Sequence, residues 1–489
     1  MNAIIMLVVV LLPIMAGLLV LVIPFQNRKQ MMWYVEGVTV ITSVLVLVML
    51  MNRPESALNL FRFSENMLLK FQLDGLGMVF AGMVAFLWPL AILYSFEYMK
   101  HEGHEKTFFM FYTITYGITL GVALSGDIVT MYVFFEMLSL VTVPLVMHTL
   151  TREAIHASRT YFFYMIGGAA CAFMGMIFVL NYGSSSFVMG GGLNLEKIGS
   201  KENLLLLGYL MCFCGFGVKT AMWPCSGWLP KAGVAPTPVT ALLHAVAVVK
   251  TGAFAAMRVT YYSFGTEFLK GTWAQSFLLV LIIFTIVYGC SRGVKETHLK
   301  RRLAWSTVSN LSYILFGVAL MTPLGLVGAL SHMIFHAAMK ICLFFCAGAV
   351  IYKTGKNYVY ELDGFGRKMP VVFICFTISG LALMGLPGLC GFISKWNLAA
   401  AAVESGTVLA YVGVAALLVS ALLTALYIMP VSVRAFFPGK DFDYHTITWV
   451  KDPNWMMTVP LVILVLLIGY FGVHPQPVLD VFAAVAAGM

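Results

Sequence analysis

Charge is what this chain has least of. Only 10% of its 489 residues are Asp, Glu, Lys or Arg, against about 25% in an ordinary soluble domain, while 61% are hydrophobic and the mean hydropathy is +0.91. That balance excludes a soluble enzyme and implies a chain that crosses a membrane many times. The strict alternation of apolar and polar residues in a barrel strand is also missing. The runs are apolar all round, which selects helices over a β-barrel. Nine cysteines, an odd number, lie mostly in apolar segments without the Cys-x-x-Cys spacings of zinc or iron–sulfur ligation. They read as small core hydrophobes, and Cys212 and Cys214 point to different sides of one helix. Paired haem histidines and a nucleotide-binding glycine motif are likewise lacking, which argues against a redox or quinone enzyme within this chain. No basic stretch precedes the first apolar run, so Met1-Asn2-Ala3-Ile4 reads as the start of a spanning helix and not of a cleaved signal. The net charge of +9 is mostly topological and gives no support to nucleic-acid binding.

What is there is a succession of apolar runs, each near the 20 residues a helix needs to cross the hydrocarbon. The expected fold class is all-α: a polytopic membrane protein of about 14 helices in a single domain over 1–489. They are expected near 3–24, 32–51, 73–96, 107–125, 127–149, 159–182, 203–223, 237–260, 273–291, 302–321, 323–352, 370–398, 406–436 and 455–473. About 19 of the 30 Lys and Arg fall in loops on one side and about 7 on the other, which makes the first side cytoplasmic. An even number of helices then puts both termini outside. Lys219 is followed by Trp223-Pro224 and Gly227-Trp228-Leu229-Pro230, and Lys395 is preceded by Gly385-Leu386-Pro387-Gly388. Helices broken at membrane depth mark cavities, because their freed backbone groups need water or protein. The two broken segments are the seventh and twelfth, which suggests two five-helix repeats, about 107–260 and 273–436. Five is odd, so the repeats run with opposite topology.

Five charges lie deep inside apolar segments: Lys219, Lys250, Lys340, Lys395 and Glu136. Four lysines facing lipid would cost roughly 10–14 kcal/mol, so they face protein or internal water. In such places burial favours a neutral amine and a nearby carboxylate favours the ammonium, so a lysine can take up and release a proton as its surroundings change. Glu136 has no basic residue in neighbouring turns, and its partner must come from another helix. Lys219 is the natural candidate, with a purely structural ion pair as the competing reading. His244 and Lys250 share a segment but, six residues apart, stand about 120° and about 9 Å apart on an α-helix, as stations of a relay and not as a contacting pair. His332, His336 and Lys340 recur at steps of four and form one stripe, with Ser331 beside them, that can order a proton-conducting water chain. A metal site on the two histidines lacks a third ligand, and a lysine one turn on would repel a cation. Lys395 closes the series, with snorkelling to the interface as its bland alternative. Arg292, Lys295, Lys300, Arg301 and Arg302 form a basic loop that topology alone explains, with acidic lipid as a further partner.

The run Gly217-Val218-Lys219-Thr220 to Trp228-Leu229-Pro230, and then Ala235-Pro236-Thr237-Pro238 to His244, resembles the signature of the antiporter-like proton-translocating membrane subunits. These occur in respiratory complex I, Mrp-type Na+/H+ antiporters and membrane-bound energy-converting hydrogenases. Glu136, Arg302-Leu303-Ala304-Trp305-Ser306, the His332/His336/Lys340 stripe and Leu386-Pro387-Gly388 to Lys395 look like further family motifs in the same order. The resemblance implies 14 core helices with input and output half-channels. It makes Glu136 and Lys219 a charge-coupled pair, Lys250 the next carrier with His244 bridging, and Lys340 the central lysine served by His332 and His336. Lys395 would be the terminal group, where some relatives have glutamate, and Arg159 stands where many have lysine. It further implies a prokaryotic cytoplasmic membrane, other antiporter-like and small membrane subunits as partners, and peripheral redox subunits. No cofactor is expected in this chain; iron–sulfur centres, and nickel–iron in a hydrogenase, would sit in the partners. The short stretch after the last helix resembles the members without a long lateral helix. The rival reading is an Mrp-type subunit without redox partners. Sodium needs several oxygen ligands, and one intramembrane glutamate among four lysines makes a poor cage, which favours protons.

Overall fold

The computed structural model describes residues 3–64, 67–440 and 442–488. Its main helices are α1 (Ile4–Val22), α2 (Arg28–Asn52), α3 (Gly75–Tyr98), α4 (Glu105–Ala123), α5 (Ile128–Val146), α6 (Arg152–Tyr182), α7 (Glu202–Gly217) and α8 (Thr237–Phe264). They continue as α9 (Trp273–Lys295), α10 (Leu299–Ala319), α11 (Pro323–Thr354), α12 (Pro370–Met384), α13 (Cys390–Ser405), α14 (Val408–Phe436), α15 (Trp455–Val473) and α16 (Gln476–Ala486). Their starts are chemically marked. Asn27, Asp74, Asp127, Thr151, Thr272, Thr322 and Thr407 each accept the backbone N–H three residues on, satisfying a donor the helix leaves free.

Among the described residues ten helices are long and apolar enough to cross a membrane: α1, α2, α3, α5, α6, α8, α9, α11, α14 and α15. The other four expected segments are helical as well, but each departs from a simple span. α4 and α10 are rich in hydroxyl and charged side chains, α7 stops after 16 residues, and 370–398 is divided between α12 and α13. Two features lay outside the expected helices. Residues expected as a loop form an antiparallel hairpin, β1 (Leu58–Ser64) with β2 (Met67–Phe71). Beyond the last expected helix, α16 packs against α11 and α3 through one apolar side.

Burial runs from the centre outward. α8 is wholly buried and α11 largely so, whereas α1, α2, α6, α9, α14 and α15 present much of their surface outward as bare Leu, Val, Ile and Phe. The perimeter is apolar and the polar residues lie inside, the reverse of a soluble protein. Close packing is made by small residues, as between α6 and α7: a Cβ on Gly175 would stand 2.4 Å from the carbonyl oxygen of Gly208.

α8 is not one regular helix. Its α-helical parts, Thr237–Ala241 and Val248–Met257, alternate with π-helical turns at Leu242–Val246 and Arg258–Phe264. The second π turn carries Arg258. It is fully buried, its guanidinium bidentate on Asp74 at the start of α3 and packed against Phe187, Phe254 and Tyr262.

Candidate functional site

Lys219 lies just beyond the end of α7, on an unwound stretch where Ala221 takes φ +55°. The downstream Pro224 supplies no N–H with which a helix could continue. The lysine side chain is buried; Nζ donates to the carbonyl oxygen of Phe135 at 2.5 Å and stands 3.4 Å from the centre of the Phe135 ring. Phe135 precedes Glu136 on α5, so the lysine is held to the backbone of the glutamate's own turn. Among the described residues no ion pair joins Glu136 and Lys219. The expected direct contact is therefore replaced by one through the main chain. Glu136 is half-buried, with Oε1 buried and without a hydrogen-bond partner among the described residues, between Phe135, which faces the core, and the exposed Met137. It stands at the rim of the molecule, with Lys219 behind it.

α8 lies directly on this lysine, since a Cβ on Gly252 would meet Lys219 Cβ at 2.8 Å. Two residues earlier, Lys250 is fully buried and its Nζ lies 2.6 Å from Nδ1 of His336 on α11. His336 is followed one turn back by His332, ring centre to ring centre 5.6 Å, and His332 Nδ1 shares a hydrogen bond of 2.9 Å with Ser394 Oγ on α13. Lys340, the third member of the stripe, donates to Ser306 Oγ at 2.7 Å and to the Leu303 carbonyl at 3.0 Å, both on α10. One helix face thus sends three side chains to three different neighbours. Lys395, on α13, is partly buried: its Nζ donates to the carbonyls of Leu383 and Met384 at the end of α12, at 2.7 and 2.9 Å, and stands 5.3 Å from the ring centre of Tyr313.

His244 sits in the first π turn of α8, its ring 4.8 Å from that of Phe344, with neither ring nitrogen hydrogen-bonded to a described residue. The π turn also means that the angle reckoned from His244 to Lys250 for an uninterrupted α-helix does not hold. His332 Nε2 and His336 Nε2 are unpartnered in the same way. Buried polar atoms of this kind are ordinarily satisfied by internal water.

Several polar residues of the interior were placed elsewhere or passed over in the sequence. Lys300 was assigned to a basic loop, yet it is 7% exposed on the first turn of α10 and donates to the carbonyl of Ala235 at 2.9 Å. Arg302 donates to the carbonyls of Glu296 and Tyr427. The charge run Lys300-Arg301-Arg302 concealed them, although the three- and four-residue steps to Leu303 and Ala304 place Lys300 on an apolar face. Glu36 on α2 is a further carboxylate within a membrane-spanning helix, its Oε2 buried and without a hydrogen-bond partner among the described residues. Arg159 is exposed on the outer side of α6. Among the described residues no group of three or more His, Cys, Asp or Glu is placed to hold a metal ion. What the interior does offer is a set of buried ionisable and hydroxyl side chains on α8, α10, α11 and α13, with direct hydrogen bonds between Lys250 and His336, between His332 and Ser394 and between Lys340 and Ser306.

Residues 125–424 match the family described as "NADH:quinone oxidoreductase/Mrp antiporter, TM", and residues 64–109 match "NADH-Ubiquinone oxidoreductase (complex I), chain 5 N-terminus". The NADH-quinone oxidoreductase subunit N of Desulforudis audaxviator (strain MP104C) is 33% identical over 368 residues, covering 73% of this chain and 70% of that protein. The chloroplastic NAD(P)H-quinone oxidoreductase chain 4 of Chlorokybus atmophyticus is 26% identical over 501 residues, covering 97% and 93%. In fold, the chain is similar to one in the archaeal membrane-bound sulfane sulfur reductase (TM-score 0.85, 21% identity, covering 99% of this chain and 97% of that one). It is also similar to a chain of the Mrp complex from Dietzia sp. DQ12-45-1b (0.83, 20%, 99% and 97%) and to one of respiratory complex I from Thermus thermophilus (0.80, 22%, 99% and 99%). With more than half its length matched to the family, this chain belongs to the antiporter-like membrane subunits shared by complex I-type oxidoreductases and Mrp antiporters.

Proposed function

We propose that this chain carries protons through a multisubunit complex of the prokaryotic cytoplasmic membrane, driven by redox chemistry in partner subunits that hold iron–sulfur centres. The observation that supports this most is the 2.6 Å contact of Lys250 with His336, which joins α8 to α11 at the centre of the molecule. In the proposed architecture of 14 spans with both termini outside, these helices belong to two inverted five-helix units, 107–260 and 273–436. The contact is then where one half hands over to the other.

Glu136, at the rim and half-buried, is the group an adjoining subunit can reach. A change in its charge alters the proton affinity of Lys219, one unit of pKa being about 1.4 kcal/mol. The proton released passes to Lys250, with His244 along α8 as a bridging group, and from Lys250 to His336. Lys340 and His332 then share it with the output side, and Lys395 exchanges it with one aqueous phase. Every group in this sequence carries a nitrogen or oxygen that can both gain and lose a proton.

A second reading, a subunit of an Mrp-type Na+/H+ antiporter without redox partners, is supported by the fold likeness to the Dietzia Mrp complex. Purification from native membranes in mild detergent, with mass spectrometry of co-purifying subunits and assay of iron and nickel, separates the two. Iron-bearing partners support the redox-driven reading, and nickel identifies a hydrogenase. Small membrane subunits without metal overturn it in favour of the antiporter.

A further inference from the structure

Two adjoining cavities lie at α16, away from the lysines and histidines of the interior. One, of about 670 Å³, opens between the end of α2, the start of α3 and α16, and its polar lining is Arg53, Gln72, Asp74, Tyr262 and Asp480. The other, of about 450 Å³, lies between α3, α11, α15 and α16, and every residue around it is apolar, Cys390 included. Met78 and Val481 line both, so the polar space forms a mouth beside the apolar groove.

The groove has the depth of one leaflet. Along α3 it is lined by Met78, Gly82 and Phe86 and by Val79, Met83 and Leu87, two rows that keep one face of the helix. From Met78 to Leu87 an α-helix rises about 14 Å, close to half of a hydrocarbon core about 30 Å thick. The far end reaches Phe335 near the middle of α11 and Cys390, the first residue of α13. The near end is where the charges gather, beside Asp74, the residue that caps α3.

Those charges are of both signs. Asp74 is matched within the protein by the buried Arg258, which leaves one cation, Arg53, and one carboxylate, Asp480. The side chains of Arg53 and Gln72 make no hydrogen bond among the described residues. Asp480 accepts one through Oδ1, from Gln476 Nε2 at 2.8 Å, and keeps Oδ2 for another donor.

We propose that mouth and groove together bind one phospholipid whose head carries both a phosphate and a primary ammonium, a phosphatidylethanolamine. The phosphate lies on Arg53, whose planar guanidinium offers paired donors to its oxygens. The ammonium donates to Asp480, and one acyl chain runs down the groove along α3. A head of net negative charge would leave Asp480 without a counterpart, and a quaternary ammonium has no N–H to give the carboxylate. α16 contributes Asp480 to the mouth and Val478 and Phe482 to the groove, so the lipid holds this amphipathic helix at the membrane surface by head and tail at once.

The test uses the purified complex in phosphatidylglycerol nanodiscs carrying a trace of phosphatidylethanolamine with a photoactivatable diazirine in its acyl chain. Adducts are located by peptide mass spectrometry. Labelling is expected to concentrate on residues 78–87 of α3, above that on the apolar outward faces of α1 and α2. Unlabelled phosphatidylethanolamine should displace it, and phosphatidylcholine should not. Arg53→Gln and Asp480→Asn should each lower groove labelling about fivefold, roughly 1 kcal/mol for one charged contact, with labelling of α1 unchanged. Ala338→Phe, which fills the groove from α11, should abolish it in a complex that still melts as the parent does. Labelling spread evenly over α1, α2 and α3 overturns the site, as does full groove labelling in both Arg53→Gln and Asp480→Asn. Equal displacement by phosphatidylcholine overturns the assignment of the head. A chemical cross-link from Asp480 to a peptide of another subunit in the native complex overturns the lipid in favour of a protein occupant.

Discussion

Replacing Lys250 by methionine isolates the proposed handover between α8 and α11. Methionine keeps an unbranched stem but removes Nζ, and with it the 2.6 Å bond to His336. His336 Nε2 has no partner among the described residues, so the ring would then be without one at either nitrogen. An unsatisfied buried polar group costs about 1–3 kcal/mol. Against that stands the relief of no longer burying an amine at zero exposure, which for a charged group amounts to several kcal/mol. The two effects oppose each other, and the complex should assemble with stability changed by no more than about 2 kcal/mol in either direction. Transport should respond very differently. A positioned proton donor or acceptor contributes about 10²–10⁴-fold to a transfer, so flux should fall at least ~100-fold, about 2.7 kcal/mol in barrier. A liposome assay with an imposed potassium potential reads this directly. Lys250→Arg sharpens it, because a guanidinium keeps the positive charge but does not release its proton. Arginine should therefore be as inactive as methionine. Flux within about threefold of the parent in Lys250→Met would refute the reasoning, and recovery in Lys250→Arg would make Lys250 a fixed charge and not a carrier; both thresholds are set by the carrier magnitude.

Three further outcomes follow from the geometry. Glu136→Gln should leave the complex assembled but separate proton flux from its driving reaction, measured as protons moved per turnover; an unchanged ratio would remove Glu136 from the coupling. Asp74→Asn, which takes the charge from the buried Arg258 pair, should cost about 2–3 kcal/mol because the pair is only partly shielded on the Asp74 side. The melting midpoint in detergent should drop accordingly while flux per assembled complex is kept. At the break before α13, Gly391→Ala would put a Cβ 1.9 Å from the Ala382 carbonyl, whereas Gly388→Ala meets open space and only the strain of φ +87°. The first should cost more, about 1–3 kcal/mol against about 1–2 kcal/mol, and equal melting midpoints would show that the break is looser than its packing indicates.

The membrane helices and the buried ionisable residues were legible because each is a violation the chain cannot hide. A lysine inside an apolar run is visible in one dimension, and so is a histidine repeated at a four-residue step. The partners of those residues were not legible. His332, His336 and Lys340 share a stripe, yet they reach Ser394, Lys250 and Ser306 on three other helices, which no spacing along α11 encodes. Lys219 was matched with the carboxylate of Glu136 and instead holds the carbonyl of the residue before it, since backbone oxygens are absent from any reading of side chains. The π turns of α8 escaped because their residues are as apolar and as helix-compatible as those of the α turns around them. Lys300 was hidden by its neighbours: beside Arg301 and Arg302 a buried amine looks like one more loop charge.

Lys395 reaches across a gap in the fold. α12 stops at Met384 because Gly385, at φ +96°, turns the chain away, and a helix that stops inside a membrane leaves its last carbonyls without donors. The ammonium of a residue ten and more positions later supplies those donors, to Leu383 and Met384. The lysine is thus the C-terminal cap of the helix before it. A charged donor makes a hydrogen bond roughly twice as strong as a neutral one, so under the proposed proton exchange at Lys395 the cap would weaken with the loss of its proton, and the end of α12 would be freest to move at that moment.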